Sequence, residues 1–216
     1  MKVCEKGKKI PNNKFENTML TIRQLKAAGI ISESDGPWRS NVILAPKRDD
    51  KGFNIAIEFK ELNKIIVNPT GVCFSTLDEI FLKLKGKVVV SLDMSSTFLN
   101  IPIKTKDTYK TAFWLNDQSF EFNVLIKAFK NSNFHLKRFL DETFSENAYN
   151  ELTANLSAHD RQLLSPSFKE MIIVNIDEIF VFAESYDKLL VNLKLVLIVA
   201  RAAKLKFCIQ NSIFFT

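Results

Sequence analysis

The twelve residues Ile172–Ala183, IIVNIDEIFVFA, constrain this chain more than any other stretch. Two runs rich in β-formers flank adjacent carboxylates, Asp177 and Glu178, so the segment reads as a buried hairpin with two like charges at its middle. A buried carboxylate without a partner is costly, or its pKa rises until it neutralises. The acids must therefore either sit at an exposed turn, which suits Asp, or face something positive.

A second acid stands in a comparable place. Lys87–Asp93, KVVVSLD, is an apolar strand that ends in Asp93. If the two strands are neighbours, three carboxylates converge on one sheet edge, and such a cluster is stable only around a cation, typically Mg²⁺ held by oxygen ligands. Carboxylates on adjacent strand ends are the arrangement of two-metal phosphoryl transfer. The spacing alone leaves both the metal site and the plain turn open.

The rest of the chain alternates hairpins and helices. Residues 18–30 have helical spacing and stop at Gly29; 41–47 and 53–59 read as paired strands around the turn KRDDKG. Residues 75–86 form an amphipathic helix, capped by Ser75 or Thr76, acidic in its first turn and stopped by Gly86. A hairpin spans 109–115 and 119–126, a helical region covers about 131–150, and a polar, partly helical segment precedes the acidic hairpin. Residues 185–205 are a helix capped by Ser185. Hairpins outnumber βαβ units, which predicts an α+β fold, an antiparallel sheet with helices packed on one face.

Composition narrows the function class. With 46% hydrophobic residues in 216, the chain is expected to fold around a proper core. No run reaches the roughly 18 apolar residues of a membrane span, and the basic N-terminus lacks the apolar segment of a secretion signal. Cys4, Cys73 and Cys208 are odd in number and scattered, which argues against a disulfide framework or zinc site and predicts an intracellular setting, cytoplasmic or nuclear. His135 and His159 are too isolated for a cluster. The net charge of +6 is compatible with a polyanionic partner.

Five segments, in order, resemble the reverse transcriptase of gypsy-like LTR retroelements. AAGIISESDGPWRSNVILAPKRDDKGF is similar to the family's entry segment, and IAIEFKELNK to F.VDYR.LNK. STLDEIFLKLKGKVVVSLDMSSTFLNIPI resembles P.ID.LLD.L.GAK.FS.LDL.SGYHQI.I, YKTAFWLNDQSFEFNVL resembles KTAF....G.YEF.VM, and NIDEIFVFA resembles YLDDILVFS. The resemblance implies a basic extension over 1–16, a fingers-like segment over 17–71 and a palm-like segment over 72–216, with fingers interleaved at about 105–126. It implies that Asp93, Asp177 and Glu178 are the catalytic, metal-binding acids and that Phe98 faces the incoming sugar. The implied chemistry is attack of a primer 3′-hydroxyl on the α-phosphate of a dNTP, templated by RNA or DNA, with Mg²⁺ or Mn²⁺ as cofactor.

Departures from the family pattern fall on the same positions. Asn54 stands where a triphosphate-clamping arginine is expected, and an amide has neither the charge nor the fork. Glu178 replaces an Asp, and Asn175 an aromatic residue. Ile126, Lys127 and Ala128 replace PFG, and Asn133 replaces a second Pro, so this loop is expected to take another path. LSAHDRQLLSPSFKE is an insertion. Lys47, Arg48, Lys51, Lys83, Lys85 and Lys87 are candidates for phosphate contact, with Lys47, Asn54 and Lys127 lining the nucleotide side. The family's primer grip, thumb, connection and RNase H regions would follow NSIFFT, so the chain by itself is expected to hold a primer–template poorly. Two readings result, an RNA-directed DNA polymerase and a decayed remnant that keeps the palm and binds nucleic acid weakly.

Overall fold

The computed structural model describes residues 3–5, 9–46, 53–67, 74–154 and 156–214. Contacts divide the chain into two units, Met1–Asn68 with Ile101–Ser132, and Pro69–Asn100 with Asn133–Thr216. In chain order the first unit supplies α1 (Asn12–Ala27), β1 (Ile31–Glu33), β2 (Ser40–Pro46), β3 (Phe53–Glu58) and α2 (Lys60–Ile65). The chain then enters the second unit for α3 (Leu77–Leu84) and β4 (Val88–Ser95), and returns to the first for α4 (Thr105–Thr108), β5 (Phe113–Leu115) and β6 (Gln118–Phe122). It finishes in the second with α5 (Ser132–Thr143), α6 (Glu146–Thr153), α7 (Ala158–Leu163), β7 (Ile172–Asn175), β8 (Glu178–Ala183), α8 (Tyr186–Ala202), β9 (Lys206–Phe207) and β10 (Ile213–Phe214).

The α+β class is as read, and the strands are shared between two sheets, one in each unit. The first unit's sheet runs β1-β6-β5-β2-β3, antiparallel except for the parallel β2–β5 pair. Its core is aromatic: Phe113 lies 5.3 Å from Phe122, and Phe59 4.8 Å from Phe129. The expected strand over 109–112 is instead a 3₁₀ turn, Tyr109–Thr111. Thr111 explains this, because its hydroxyl donates to the Thr108 carbonyl at 2.7 Å and accepts the Phe122 N–H at 2.8 Å, a local alternative to a ladder.

The second unit's sheet runs β10-β4-β8-β7, with β9 also on β4. Helices α3 and α8 lie where the sequence set them, whereas the helical region expected over about 131–150 is two helices, α5 and α6, broken where Ser145 caps the second. Thr76 and Glu79 form a reciprocal capping box at the start of α3, and Gly86 at φ +74 ends it. Ser185 caps α8 by accepting from Lys188 N–H. Helix α8 lays Leu189, Leu195, Val196 and Val199 into the core, while Ile80 of α3 packs with Ile173 and Phe182.

Residues 156–170, expected to be an insertion, dock onto this unit. Phe168, 2% exposed, meets the rings of Phe144 and Tyr149 at 5.4 and 5.5 Å. Asn192, wholly buried in α8, donates to Ser165 Oγ and the Phe182 carbonyl and accepts from Ser165 N–H.

Candidate active site

Strand pairing brings the acids together. β4 and β8 run antiparallel in a register that sets Asp93 directly opposite Glu178 and Ser91 opposite Phe180. Residues opposed in this way, and those two along, share one face of the sheet, so Ser91, Asp93 and Glu178 project to the same side. Asn175 pairs with Glu178 on the other flank and joins that face. The same face is covered by α3 farther along, where Phe180, Phe182 and Val89 meet Ile80 and Leu84.

The hairpin closes through two residues, Ile176 and Asp177, between the paired Asn175 and Glu178. Ile176 has φ +51, the sign demanded by the first central residue of a II′ turn and a rare one for a β-branched side chain. The turn is stitched to β4, since the Asp177 carbonyl accepts the Met94 N–H at 2.7 Å. Asp177 thus occupies the turn and Glu178 opens the strand.

Each ladder carboxylate has a protein donor. Ser91 Oγ donates to Glu178 Oε1. Asn211 Nδ2 donates to Asp93 Oδ2 at 3.0 Å, and the Asp93 backbone is gripped by Ser212 Oγ and Cys208 N–H at 3.1 and 2.8 Å. Sequence reasoning missed Ser91, Asn211 and Ser212. Ser91 was within reach, two residues before Asp93 on the same strand face; Asn211 and Ser212 had no local signal.

Among the described residues, no three His, Cys, Asp or Glu side chains are grouped to hold a metal ion. Hard carboxylate oxygens are nevertheless the donors that Mg²⁺ or Mn²⁺ takes, so Asp93 and Asp177 fit such an ion in kind. Glu178 is a donor of the same kind; buried Ser91 engages one of its oxygens, as exposed Asn211 engages one of Asp93's.

The remaining expected residues are distributed as follows. Phe98 lies in the 3₁₀ turn after β4 and is 8% exposed, packed rather than presented. Its neighbour Thr97 has a buried hydroxyl without a protein partner among the described residues. Asn54 belongs to β3 of the first unit, opposite Ala45, and Lys127 to an exposed turn of that unit. That turn is held from α2: Asn63 donates to the Ala128 carbonyl and accepts the Lys130 N–H, both at 2.9 Å. Lys47, Arg48, Lys51 and Cys73 lie outside the described residues. Lys83 donates to the Lys169 carbonyl, and it and Lys87 lie 5.6 and 4.6 Å over the Phe182 ring, which engages them inside the second unit.

Residues 45–212 match the family reverse transcriptase (RNA-dependent DNA polymerase). The chain belongs to this reverse transcriptase family. It is 28% identical over 198 residues to the retrovirus-related Pol polyprotein from transposon opus of Drosophila melanogaster, covering 89% of this chain and 18% of that protein. It is 28% identical over 131 residues to the corresponding polyprotein from transposon gypsy of the same fly, covering 58% of this chain and 13% of that protein. The reverse transcriptase domain therefore spans less than a fifth of these curated relatives.

The fold agrees. The prototype foamy virus protease–reverse transcriptase superposes with TM-score 0.74 at 18% identity, over 99% of this chain and 26% of that one. The foamy viral enzyme in complex with an RNA/DNA hybrid superposes with TM-score 0.72 at 16% identity, over 97% of this chain and 25% of that one. Among the described residues, no helix of this reverse transcriptase domain is long and apolar enough to cross a membrane.

Proposed function

We propose that this domain is the fingers and palm of a retrotransposon Pol and that its chemistry is templated nucleotidyl transfer from a dNTP to a primer 3′-hydroxyl. The observation that carries the reading is the β4–β8 register, which draws Asp93 to the hairpin turn of Asp177 in a chain of this family. In this reading the first unit is the fingers-like part and the second the palm-like part. Asp93 and Asp177 hold a divalent cation, Mg²⁺ or Mn²⁺. When bound, such ions activate the attacking oxygen and stabilise the leaving one. The partner is an RNA or DNA template with its primer, in keeping with the RNA/DNA hybrid held by the foamy viral neighbour. The resemblance assigns Phe98, Lys47, Asn54 and Lys127 to nucleotide binding, with Phe98 a packed ring and not an exposed one. Asn54 and Lys127 suit that role poorly, for want of a fork and of the family's loop.

A second reading has its own observation. Glu178 and Asp93 each accept a hydrogen bond from a neutral donor, Ser91 and Asn211, so each acid has a partner within the domain in the absence of an ion. In that case the palm fold persists without robust activity.

Primer extension on an RNA template, first with Mg²⁺ and then with Mn²⁺, separates the two. The native chain, Asp93→Asn, and a chain carrying Asn54→Arg, Asn175→Tyr and Glu178→Asp are compared. Incorporation by the native chain that vanishes in Asp93→Asn establishes the polymerase. Incorporation only by the triple variant establishes a sound palm with a decayed pocket, and none by any chain ends the enzyme reading.

A further inference from the structure

The two ladder acids differ in their donors: Asp93 accepts from Asn211, which is exposed, and Glu178 from Ser91, which is buried. This serine is 6% exposed, shares the face of Asp93 and Glu178, and stands two residues before Asp93. Glu178 is opposite Asp93, so Ser91 is its diagonal neighbour along β4. A carboxylate on an extra methylene can lean back along that diagonal, and it does so: Ser91 Oγ donates to Glu178 Oε1. A hydrogen bond from a buried hydroxyl to an ionised carboxylate is charge-assisted and directional. It also draws one negative charge away from the opposing Asp93, which like charges at a directly paired position favour.

We infer that Ser91 is a positioning residue that holds the Glu178 carboxylate against β4, so that the cation site is built by Asp93 and Asp177 without Glu178. The inference rests on the proposed function and deepens it. It accounts for the lack of a three-acid group among the described residues. It also couples two positions: a longer acid at the start of β8 is accommodated because a serine hydroxyl waits on the neighbouring strand. Ser91 touches neither substrate nor cation; it acts through Glu178.

The test is Mn²⁺ affinity of the whole chain, measured by electron paramagnetic resonance or calorimetry without substrate. Four variants are compared with the native chain: Asp93→Asn, Glu178→Gln, Ser91→Ala, and the double variant Ser91→Ala with Glu178→Gln. Asp93→Asn is expected to weaken binding at least about tenfold, while Glu178→Gln leaves it within about twofold. Ser91→Ala frees the third acid and is expected to tighten Mn²⁺ by about three- to tenfold, a gain abolished in the double variant. Ser91→Ala removes one oxygen and fills no new space, and a far-ultraviolet spectrum matching the native chain verifies that it folds.

If Glu178→Gln weakens Mn²⁺ as much as Asp93→Asn does, Glu178 is already a ligand and the inference is overturned. No gain on Ser91→Ala overturns it equally. If Asp93→Asn itself has no effect, the cation site fails, and with it both the proposed function and this inference; that pattern is distinct from the other two.

Discussion

Asp93 and Glu178 face each other directly across the β4–β8 ladder, two carboxylates from distant parts of the chain at one paired position. Like charges so placed repel, by about 0.2–1 kcal/mol on a sheet surface. Asp93→Asn relieves that repulsion, and the new side chain can still accept from Asn211 through its own oxygen. In metal-free buffer its thermal midpoint is expected at or slightly above that of the native chain. Millimolar Mg²⁺ or Mn²⁺ should then raise the native midpoint, since a ligand of the folded state stabilises by mass action, and leave the variant's unmoved. An equal shift in both chains would remove Asp93 from the cation site.

Gly86 joins α3 to β4 at φ +74, and a Cβ placed there meets nothing within 4 Å. Space is therefore not the issue; the backbone is. Gly86→Ala is expected to lose about 1 kcal/mol or somewhat more in urea unfolding, the cost of a left-handed L-residue. A neutral result would mean that the joint readily adopts another conformation.

Asn192 ties residues 156–170 to the second unit through two hydrogen bonds with Ser165, and a third holds the Phe182 carbonyl of β8. Asn192→Ala strands the buried Phe182 carbonyl and strips the half-buried Ser165 of two partners, at a cost of about 2 kcal/mol. Proteolytic cleavage within residues 156–170 should accelerate together with the fall in stability. Loss of stability without that acceleration would show that Phe168, and not Asn192, holds the insertion.

His135 gives the fold a pH dependence. Although its side chain is exposed, partial desolvation by its neighbours, helped by the nearby Arg138 charge, depresses its pKa below the ordinary value of 6.5, and the effect is accordingly small. Below that value the unfolded chain binds a proton that the folded chain refuses, so this residue's linkage lowers stability as pH falls from about 6.5 towards the depressed pKa. Above 6.5 both states are neutral and the contribution is flat. His135→Gln should flatten the unfolding midpoint between pH 7 and the onset of carboxylate protonation, and an unchanged slope would assign it to other groups.

The acidic hairpin, a cap for α3 at Ser75 or Thr76, the glycine stops at 29 and 86 and the long helix α8 were legible from residues alone. Each is encoded within a few positions, by side-chain period, caps or permitted φ. The misread strand at 109–112 shows the limit: the pattern was right for a strand, and Thr111's own hydroxyl offered the backbone a competing turn. The family, too, was legible, because five local motifs kept their order.

The tertiary structure alone decided the ladder register, the division into two sheets, the bond between Ser91 and Glu178, the grip of Asn211 and Ser212 on Asp93, and the Asn192 staple. None of these leaves a trace in local sequence, for a physical reason. Side-chain period and capping energies depend on neighbours along the chain, whereas a hydrogen bond across strands depends on which residue the fold sets opposite, and a slip of one position would send every side chain of the ladder to the other face. The sequence determined that Asp93 follows an apolar run and that Asp177 and Glu178 sit at the middle of a hairpin; the register decided that Asp93 and Glu178 meet, inside β4 and at the start of β8.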